Sequence, residues 1–290
     1  MKGLKKIALV VAIAAAPFAA NAELQAMNDT AMGDVTGQAG VTIELETKVS
    51  IGQFKYTDEG SFAVNDIVLG GAGVTADGLA AGYNDLLDQL KIDIDVADDG
   101  DAIIHVGTLD GNPIDWGITV GSMELLAGGT GSDSTTLISN LSGYGNLAQL
   151  NIQVDTATDH LNLVASFDVQ DMDFDVEFMG IGIRDLKITG AGTNFDYDGD
   201  GQTIDDGVVD FGLVDPQQIG VMTQFANVNL DVYKGAGLGA STATDVLRID
   251  VNNFYMDMSI GAIEIGGTSI GSLAIDNLAV TDTKLAVYGH

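Results

Sequence analysis

The 290-residue sequence contains no cysteine, only 3 prolines and few aromatic residues. Without cysteine the protein has no disulfides and no thiol chemistry, so core burial, hydrogen bonds or bound ions must stabilise it. The low proline content excludes a proline-rich stalk. By contrast, the 38 glycines indicate many tight turns and bends between regular elements.

Basic residues are also scarce, with 11 Lys and Arg against 42 Asp and Glu, which gives a net charge of −31. Three of the lysines precede Glu23, so the chain from Glu23 to His290 carries −34. A field of this sign repels nucleic acids and anionic membranes and attracts cations. It also suits solubility in a salty medium, where screening weakens the repulsion between carboxylates.

The first 22 residues have the three parts of a secretory signal peptide. Lys2, Lys5 and Lys6 form the positive region, residues 7–16 form a short apolar stretch, and Ala20-Asn21-Ala22 has the small side chains of a cleavage site. The apolar stretch is shorter than a membrane span requires. The sequence therefore predicts export, to the periplasm or to the cell surface, and a single domain over residues 23–290.

Apolar and polar residues alternate through most of the remaining chain, which predicts β-strands with one buried face. The clearest case is residues 41–51, where Val41, Ile43, Leu45, Val49 and Ile51 alternate with polar residues. Similar alternation occupies residues 92–96, 114–120, 150–154, 161–169 and 228–232. One-sided patterning is typical of antiparallel sheets, so we expect an all-β fold.

The alternation changes phase by one residue near Gln170-Asp171 and again near Asn252-Asn253. Such a slip moves every following side chain to the other face, so each site predicts a bulge or a corner. Residues 181–189 and 273–281 also resemble each other weakly, but no strict repeat is present. These features favour an antiparallel meander that forms a bent sheet, a sandwich or a barrel-like domain.

Helical periodicity is limited to two short segments. Leu79, Tyr83, Leu86, Leu87 and Leu90 share one side of a helix over residues 78–90. A shorter helix is predicted to begin after Asn28 or Asp29 and to end at Gly37.

The start of the exported chain, residues 23–46, and the C-terminal residues 269–281 and 287–290 resemble a group of exported proteobacterial proteins called FilA, which are named for pilus assembly. The resemblance is looser over the strand-rich residues 167–188. It implies an extracytoplasmic, strand-rich protein linked to surface filaments, with envelope or pilus components as partners. It implies no catalytic residues. The polar sequence after Glu23 lacks the long apolar helix of a type IV pilin, which favours an accessory component.

The strongest chemical motif is an Asp-x-Asp-x-Asp-Gly run at residues 196–201. Alternate aspartates around a glycine turn present several oxygens to one point, as calcium requires. The twelfth position is Gly207 instead of Glu, and no flanking helix is evident, so a later aspartate would complete the site. The predicted ligands of this calcium site are Asp196, Asp198, Asp200, Asp205 and Asp206. A solvated acidic turn is the alternative.

Other candidate sites have simpler explanations. Asp93, Asp95, Asp98, Asp99 and Asp101 read as a strand followed by a hairpin turn. Residues 267–271 match Gly-x-Ser-x-Gly, but the strand-turn-helix context of a nucleophilic serine is missing. His105 and His160 lack zinc-ligand spacing, and the glycine-rich residues 235–239 lack the lysine of a phosphate loop.

The sequence thus predicts a non-enzymatic structural or assembly protein of the cell envelope, pilus-associated and stabilised by calcium. One alternative is a binding module for an apolar or glycan ligand held by a curved sheet. A further alternative is an outer-membrane β-barrel, although the 6% aromatic content does not suit the aromatic girdles of that class.

Overall fold

The computed structural model describes residues 40–72, 74–75, 78–79, 86–128, 134–191 and 224–289. The predicted signal peptide and the short helix before Gly37 lie outside these residues. Everything described below therefore belongs to the part of the chain after Ala39.

The described chain is an all-β structure, as the alternation predicts. A short 3₁₀ turn is present at Glu177–Met179. The fifteen strands are β1 Val41–Thr47, β2 Val49–Thr57, β3 Ser61–Gly70, β4 Val74–Thr75, β5 Gly78–Leu79, β6 Leu87–Val96, β7 Ala102–Thr108, β8 Ile114–Leu126, β9 Thr135–Asp155, β10 His160–Phe167, β11 Asp171–Val176, β12 Ile181–Thr189, β13 Ala226–Gly235, β14 Val246–Ile265 and β15 Thr268–Val287.

Thirteen of these strands form one antiparallel sheet that follows a simple meander. Its pairing pattern has eight strand positions among the described residues, because several positions are filled by two short strands placed end to end. In spatial order they hold β1 with β2, β6 with β3, β7 with β8, β9, β10 with β11, β13 with β12, β14 and β15. Neighbouring positions are consecutive in the chain, so local hairpins generate the sheet.

The predicted phase slips are confirmed as breaks in this sheet. Near Gln170, β10 ends at Phe167 and β11 begins at Asp171, so one strand position is divided at this corner. In β14, Asn229 of β13 pairs with Asn253 while Leu230 pairs with Val251, which leaves Asn252 as the extra residue of a bulge. Each slip therefore lets one strand position keep apolar residues toward the same side of the sheet.

The helix predicted over residues 78–90 is wrong where the structure describes it. Gly78–Leu79 forms β5, and β6 begins at Leu87. Leu90 is buried and pairs with both Leu45 of β1 and Thr108 of β7. A strand held by ladders on both sides satisfies its backbone polar groups there, which outweighs the weak local helical spacing.

The pairing of β3 with β8 is repeated in the pairing of β12 with β14. This structural repeat is clearer than the weak sequence similarity between residues 181–189 and 273–281. Phe62 pairs with Leu125 and Asn65 with Ser122 in β3 and β8. At corresponding positions Ile181 pairs with Ile265 and Arg184 with Ala262 in β12 and β14. The next residue in each case is an aspartate with positive φ, Asp66 at 54° and Asp185 at 51°.

A glycine of the neighbouring strand faces each of these aspartates. A Cβ at Gly121 would lie 3.1 Å from the Cβ of Asp66, and one at Gly261 would lie 2.7 Å from the Cβ of Asp185. A non-glycine residue with positive φ is uncommon, and here it recurs at the same place in both repeats. An aspartate with positive φ that faces a glycine of the neighbouring strand is thus a repeated feature of the sheet.

Candidate functional site

The two outermost strand positions are the most informative surfaces of the described chain. The N-terminal edge consists of β1 and β2, which pair only with β6 and β3 among the described strands. The C-terminal edge is β15, which pairs only with β14. Within the described residues each edge therefore directs a row of backbone N–H and C=O groups away from the sheet.

The burial predicted for residues 41–51 is wrong, although the strand itself is confirmed. Val41, Ile43, Leu45, Val49 and Ile51 are all at least 38% exposed. The C-terminal edge shares this property, with Leu285 at 42% and Val287 at 52% exposed. Both edges have strand-like alternation, yet no described element covers them.

The apolar side chains of the two edges belong to rows that cross the whole sheet. One row starts at Ile43 and ends at Val280, with every member paired to the next: Ile43, Ile92, Val106, Leu150, Ala165, Val228, Phe254 and Val280. A sheet stabilised by cross-strand apolar pairs gains one more pair for each strand added. The row reaches both edges without a polar interruption.

The edges carry little net charge in a very acidic chain. The N-terminal edge holds Glu44, Glu46, Lys48 and Lys55, and the C-terminal edge holds Asp276, Asp282 and Lys284. Their net charges are therefore 0 and −1, against −31 for the chain. Neither edge contains proline, one of the residues that natural sheets use to block edge pairing.

Among the sequence-predicted sites, the calcium ligands Asp196, Asp198, Asp200, Asp205 and Asp206 lie outside the described residues. The second acidic group behaves as a strand and a turn. Asp93 accepts a hydrogen bond from Thr42 Oγ1 (2.7 Å) and forms an ion pair with Lys91 Nζ (2.9 Å). These contacts lower the pKa of Asp93. Within the described part of the chain, no three acidic or histidine side chains are grouped to hold a metal.

Asp101 joins two neighbouring turns of the sheet. Its buried carboxylate accepts hydrogen bonds from Thr156 N (2.9 Å), Gln153 Nε2 (2.9 Å) and Thr156 Oγ1 (3.0 Å). The backbone N–H of Thr156 is the main cause of the lowered pKa of Asp101. Its role is thus to fasten the turn before β7 to the turn after β9.

Asp101→Asn is expected to lower the melting temperature at pH 7, because an amide cannot accept all three hydrogen bonds. The folded protein depresses the pKa of Asp101, so this stabilisation exists above the ordinary value of 3.8 and is lost as the pH falls through the folded-state pKa. Thermal unfolding from pH 7 to pH 3 should therefore show the two proteins converging. Asp98→Asn, in the same turn, is the control, and an equal loss in it would contradict the account.

The Gly-x-Ser-x-Gly match occupies the hairpin between β14 and β15. Gly266 and Gly267 form the turn, and Ser269 is an exposed β15 residue paired with Glu264. The described residues after this turn form β15 instead of a helix, so the elbow that such a serine needs is not formed. His105 lies beside Asn151 on neighbouring strands, and His160 stacks on Tyr233 with ring centroids 4.0 Å apart.

Sequence reasoning did not single out Asp171 as a titrating group. Its Oδ1 is buried without a hydrogen-bond partner among the described residues. Burial is the main cause that raises the pKa of Asp171, and the charges of Asp173 and Asp185 add to it. The acidic run at residues 171–177 was visible in the sequence, but the approach of Asp185 depends on strand pairing.

Asp171→Asn is expected to stabilise the protein at neutral pH. An aspartate with a raised folded-state pKa loses stability as the pH rises from its ordinary value of 3.8 through the folded-state pKa. The neutral amide avoids that loss, so the variant should unfold at higher temperature than the parent at pH 7 and at the same temperature near pH 3. Asp58→Asn, an equal charge change on an exposed turn, is the control for net charge and should not raise the melting temperature at pH 7.

Two recesses lie at corresponding ends of the repeated strands. The larger, about 910 Å³, is lined in part by Tyr56, Phe62, Leu125 and Leu126. The smaller, about 240 Å³, contains Arg184, whose Nη2 lies 2.6 Å from Asp175 Oδ1 and whose Nε lies 3.2 Å from Glu264 Oε2. The first recess combines these apolar side chains with polar ones that include Asp58 and Glu59, whereas the second is lined by an ion-pair network.

Residues 1–98 match a family of unknown function, DUF6160. No curated protein and no solved structure is detectably similar to this chain. Across the described residues, no helix is long and apolar enough to cross a bilayer.

Proposed function

We propose that this chain is an exported, non-enzymatic structural or assembly component of the cell envelope, associated with pili or similar surface filaments. The observation that carries the proposal is the pair of exposed sheet edges, each lined by apolar side chains and low in charge. In a chain of net charge −31, most of the surface repels another copy or an acidic partner. The edges are where such repulsion is least and where backbone groups are available for pairing.

The test is to locate the protein in cells. We expect a peptide tag inserted after Gly239 to be tolerated, because Gly239 lies in the turn region between β13 and β14 and a Cβ there meets no atom within 4 Å. Antibody labelling of intact cells, or recovery of the tag with sheared filaments, is the expected result. Tag confined to the soluble periplasm would contradict a surface role.

The alternative role, a binding module for an apolar or glycan ligand, is favoured by the larger recess near Phe62. Its volume of about 910 Å³ lies within the range of small-molecule sites, and aromatic side chains line it. Mass spectrometry of the natively purified protein is the matching experiment. A bound molecule that is lost in Phe62→Ser would support this role, and a protein free of ligand would count against it.

Calcium stabilisation at residues 196–206 rests on the spacing of the aspartates in the sequence. The expected result is a melting temperature that rises when calcium is restored after chelation, because a ligand that binds only the folded state stabilises it. Asp198→Ala combined with Asp200→Ala should abolish that rise. A rise of the same size in the double variant would remove these residues from the proposed site.

A further inference from the structure

We propose that copies of this chain associate head to tail, with β15 of one copy forming an antiparallel ladder with β1 and β2 of the next. This proposal deepens the proposed structural function and rests on it. The partner at both edges is a second copy of the same chain.

Strand direction supports this arrangement. All pairings between neighbouring positions are antiparallel, so the strand direction alternates from one position to the next. Because the sheet has eight positions, an even number, β15 runs in the opposite direction to β1 and β2. A second copy added in the same orientation would therefore meet β15 with an antiparallel strand, as every internal neighbour does. The two edges also have similar lengths, residues 41–57 and Thr268–Val287.

The charges of the two edges are complementary when the strands are read in opposite directions. Along β15 the order is Asp276, Asp282, Lys284, and along the N-terminal edge read backwards it is Lys55, Lys48, Glu46, Glu44. A ladder that places Asp282 opposite Lys48 also places Lys284 opposite Glu46. Opposite charges on facing strands stabilise a ladder, whereas like charges destabilise it.

The same register aligns exposed apolar side chains. With Lys284 opposite Glu46, Leu285 falls opposite Leu45 and Val287 opposite Ile43. These four side chains are between 41% and 52% exposed in the single chain. The contact would thus bury apolar surface and satisfy the outward backbone groups at once.

A head-to-tail contact between unlike edges does not limit the assembly to two copies. The surface on β15 differs from the surface on β1 and β2, so each added copy leaves one edge of each kind available. A contact of this head-to-tail type produces a ring if its rotation closes and a filament if it does not. A discrete symmetric dimer is not expected.

The test uses sedimentation velocity of the exported, processed protein over a range of concentrations. The parent protein is expected to form a concentration-dependent series of species beyond the monomer. Lys284→Glu, which would face Glu46, and Glu46→Lys, which would face Lys284, should each weaken association by about tenfold or more, because like charges in an interface are costly. The double variant, with both charges exchanged, should associate as the parent does.

Lys234→Glu is the matched control. Lys234 is an exposed β13 residue that forms an ion pair with Asp245. The variant therefore changes the net charge as Lys284→Glu does, but at a position away from both edges. It should associate like the parent. Circular dichroism of every variant checks that the sheet is retained.

Equal association in all variants would overturn the head-to-tail contact while leaving a structural function possible, since another surface would then hold the copies together. A parent protein that stays monomeric up to its solubility limit would also overturn it, as would an edge covered by residues 23–39 of the same chain. The cell-surface labelling above tests the proposed function separately, so the two failures can be distinguished.

Discussion

Gly261→Ala is expected to destabilise the folded protein by about 2 kcal/mol, because its new methyl group overpacks a tight site. The Cβ would lie 2.7 Å from the Cβ and 2.9 Å from Oδ2 of Asp185. Asp185 cannot readily move aside, because its backbone is held at a φ of 51° and its backbone N–H donates to Asp173 Oδ1 at 2.8 Å. Chemical denaturation measures the loss.

The matching variant is Asp185→Gly, which removes the opposing Cβ and relieves the positive φ. In that background Gly261→Ala should cost much less, so the two changes should be strongly non-additive. Gly52→Ala serves as the control, since a Cβ there meets no atom within 4 Å. Equal losses from Gly261→Ala in both backgrounds would show that the close approach of Asp185 is not the cause of the loss.

Arg248→Ala is expected to cost about 3 kcal/mol, because it removes one member of a largely buried ion pair. Nη2 of Arg248 lies 2.7 Å from Asp250 Oδ1, and the two side chains are 11% and 16% exposed. The same guanidinium donates to the carbonyl oxygens of Leu285 at 3.1 Å and Ala236 at 3.3 Å. One side chain thus ties β14 to β15 and to the loop after β13.

Arg248→Lys should recover only part of this stability, because an ammonium on a flexible stem cannot reach all three acceptors in the fork geometry of arginine. Lys234→Ala removes an exposed ion pair with Asp245 and should leave the denaturation midpoint unchanged. If Arg248→Ala proved as mild as Lys234→Ala, Arg248 would not anchor the C-terminal edge.

The strands and corners could be predicted from sequence because their signals are local. The alternation at residues 161–169 and its reversal after Gln170 come from consecutive side chains, and the structure places β10, a break and β11 there. The segment at residues 78–90 failed because its leucine spacing fits a helix, whereas the ladders on both sides of β6 are formed by residues distant in sequence.

The exposure of β1, β2 and β15 could not be predicted, because alternation shows that a strand has an apolar side but not what lies against it. Val41 and Val287 have the same local pattern as buried strand residues. The repeat of β3 and β8 in β12 and β14 is visible in the sequence, but at other residues than the weakly similar 181–189 and 273–281. Gly71-Ala-Gly73 corresponds to Gly190-Ala-Gly192, and the Gly-x-x-Glu of residues 121–124 recurs at residues 261–264.

Hydrogen exchange of residues 41–57 and 268–287, measured at low and high protein concentration, shows whether the two edges are uncovered in one chain and pair between copies. The outward-directed amides of both edges are expected to exchange rapidly in dilute protein and to become protected together as concentration rises, while β9 and β14 remain protected throughout. Strong protection of both edges at the lowest concentration, unchanged on concentrating the protein, would contradict it, because the edges would then already be covered within one chain.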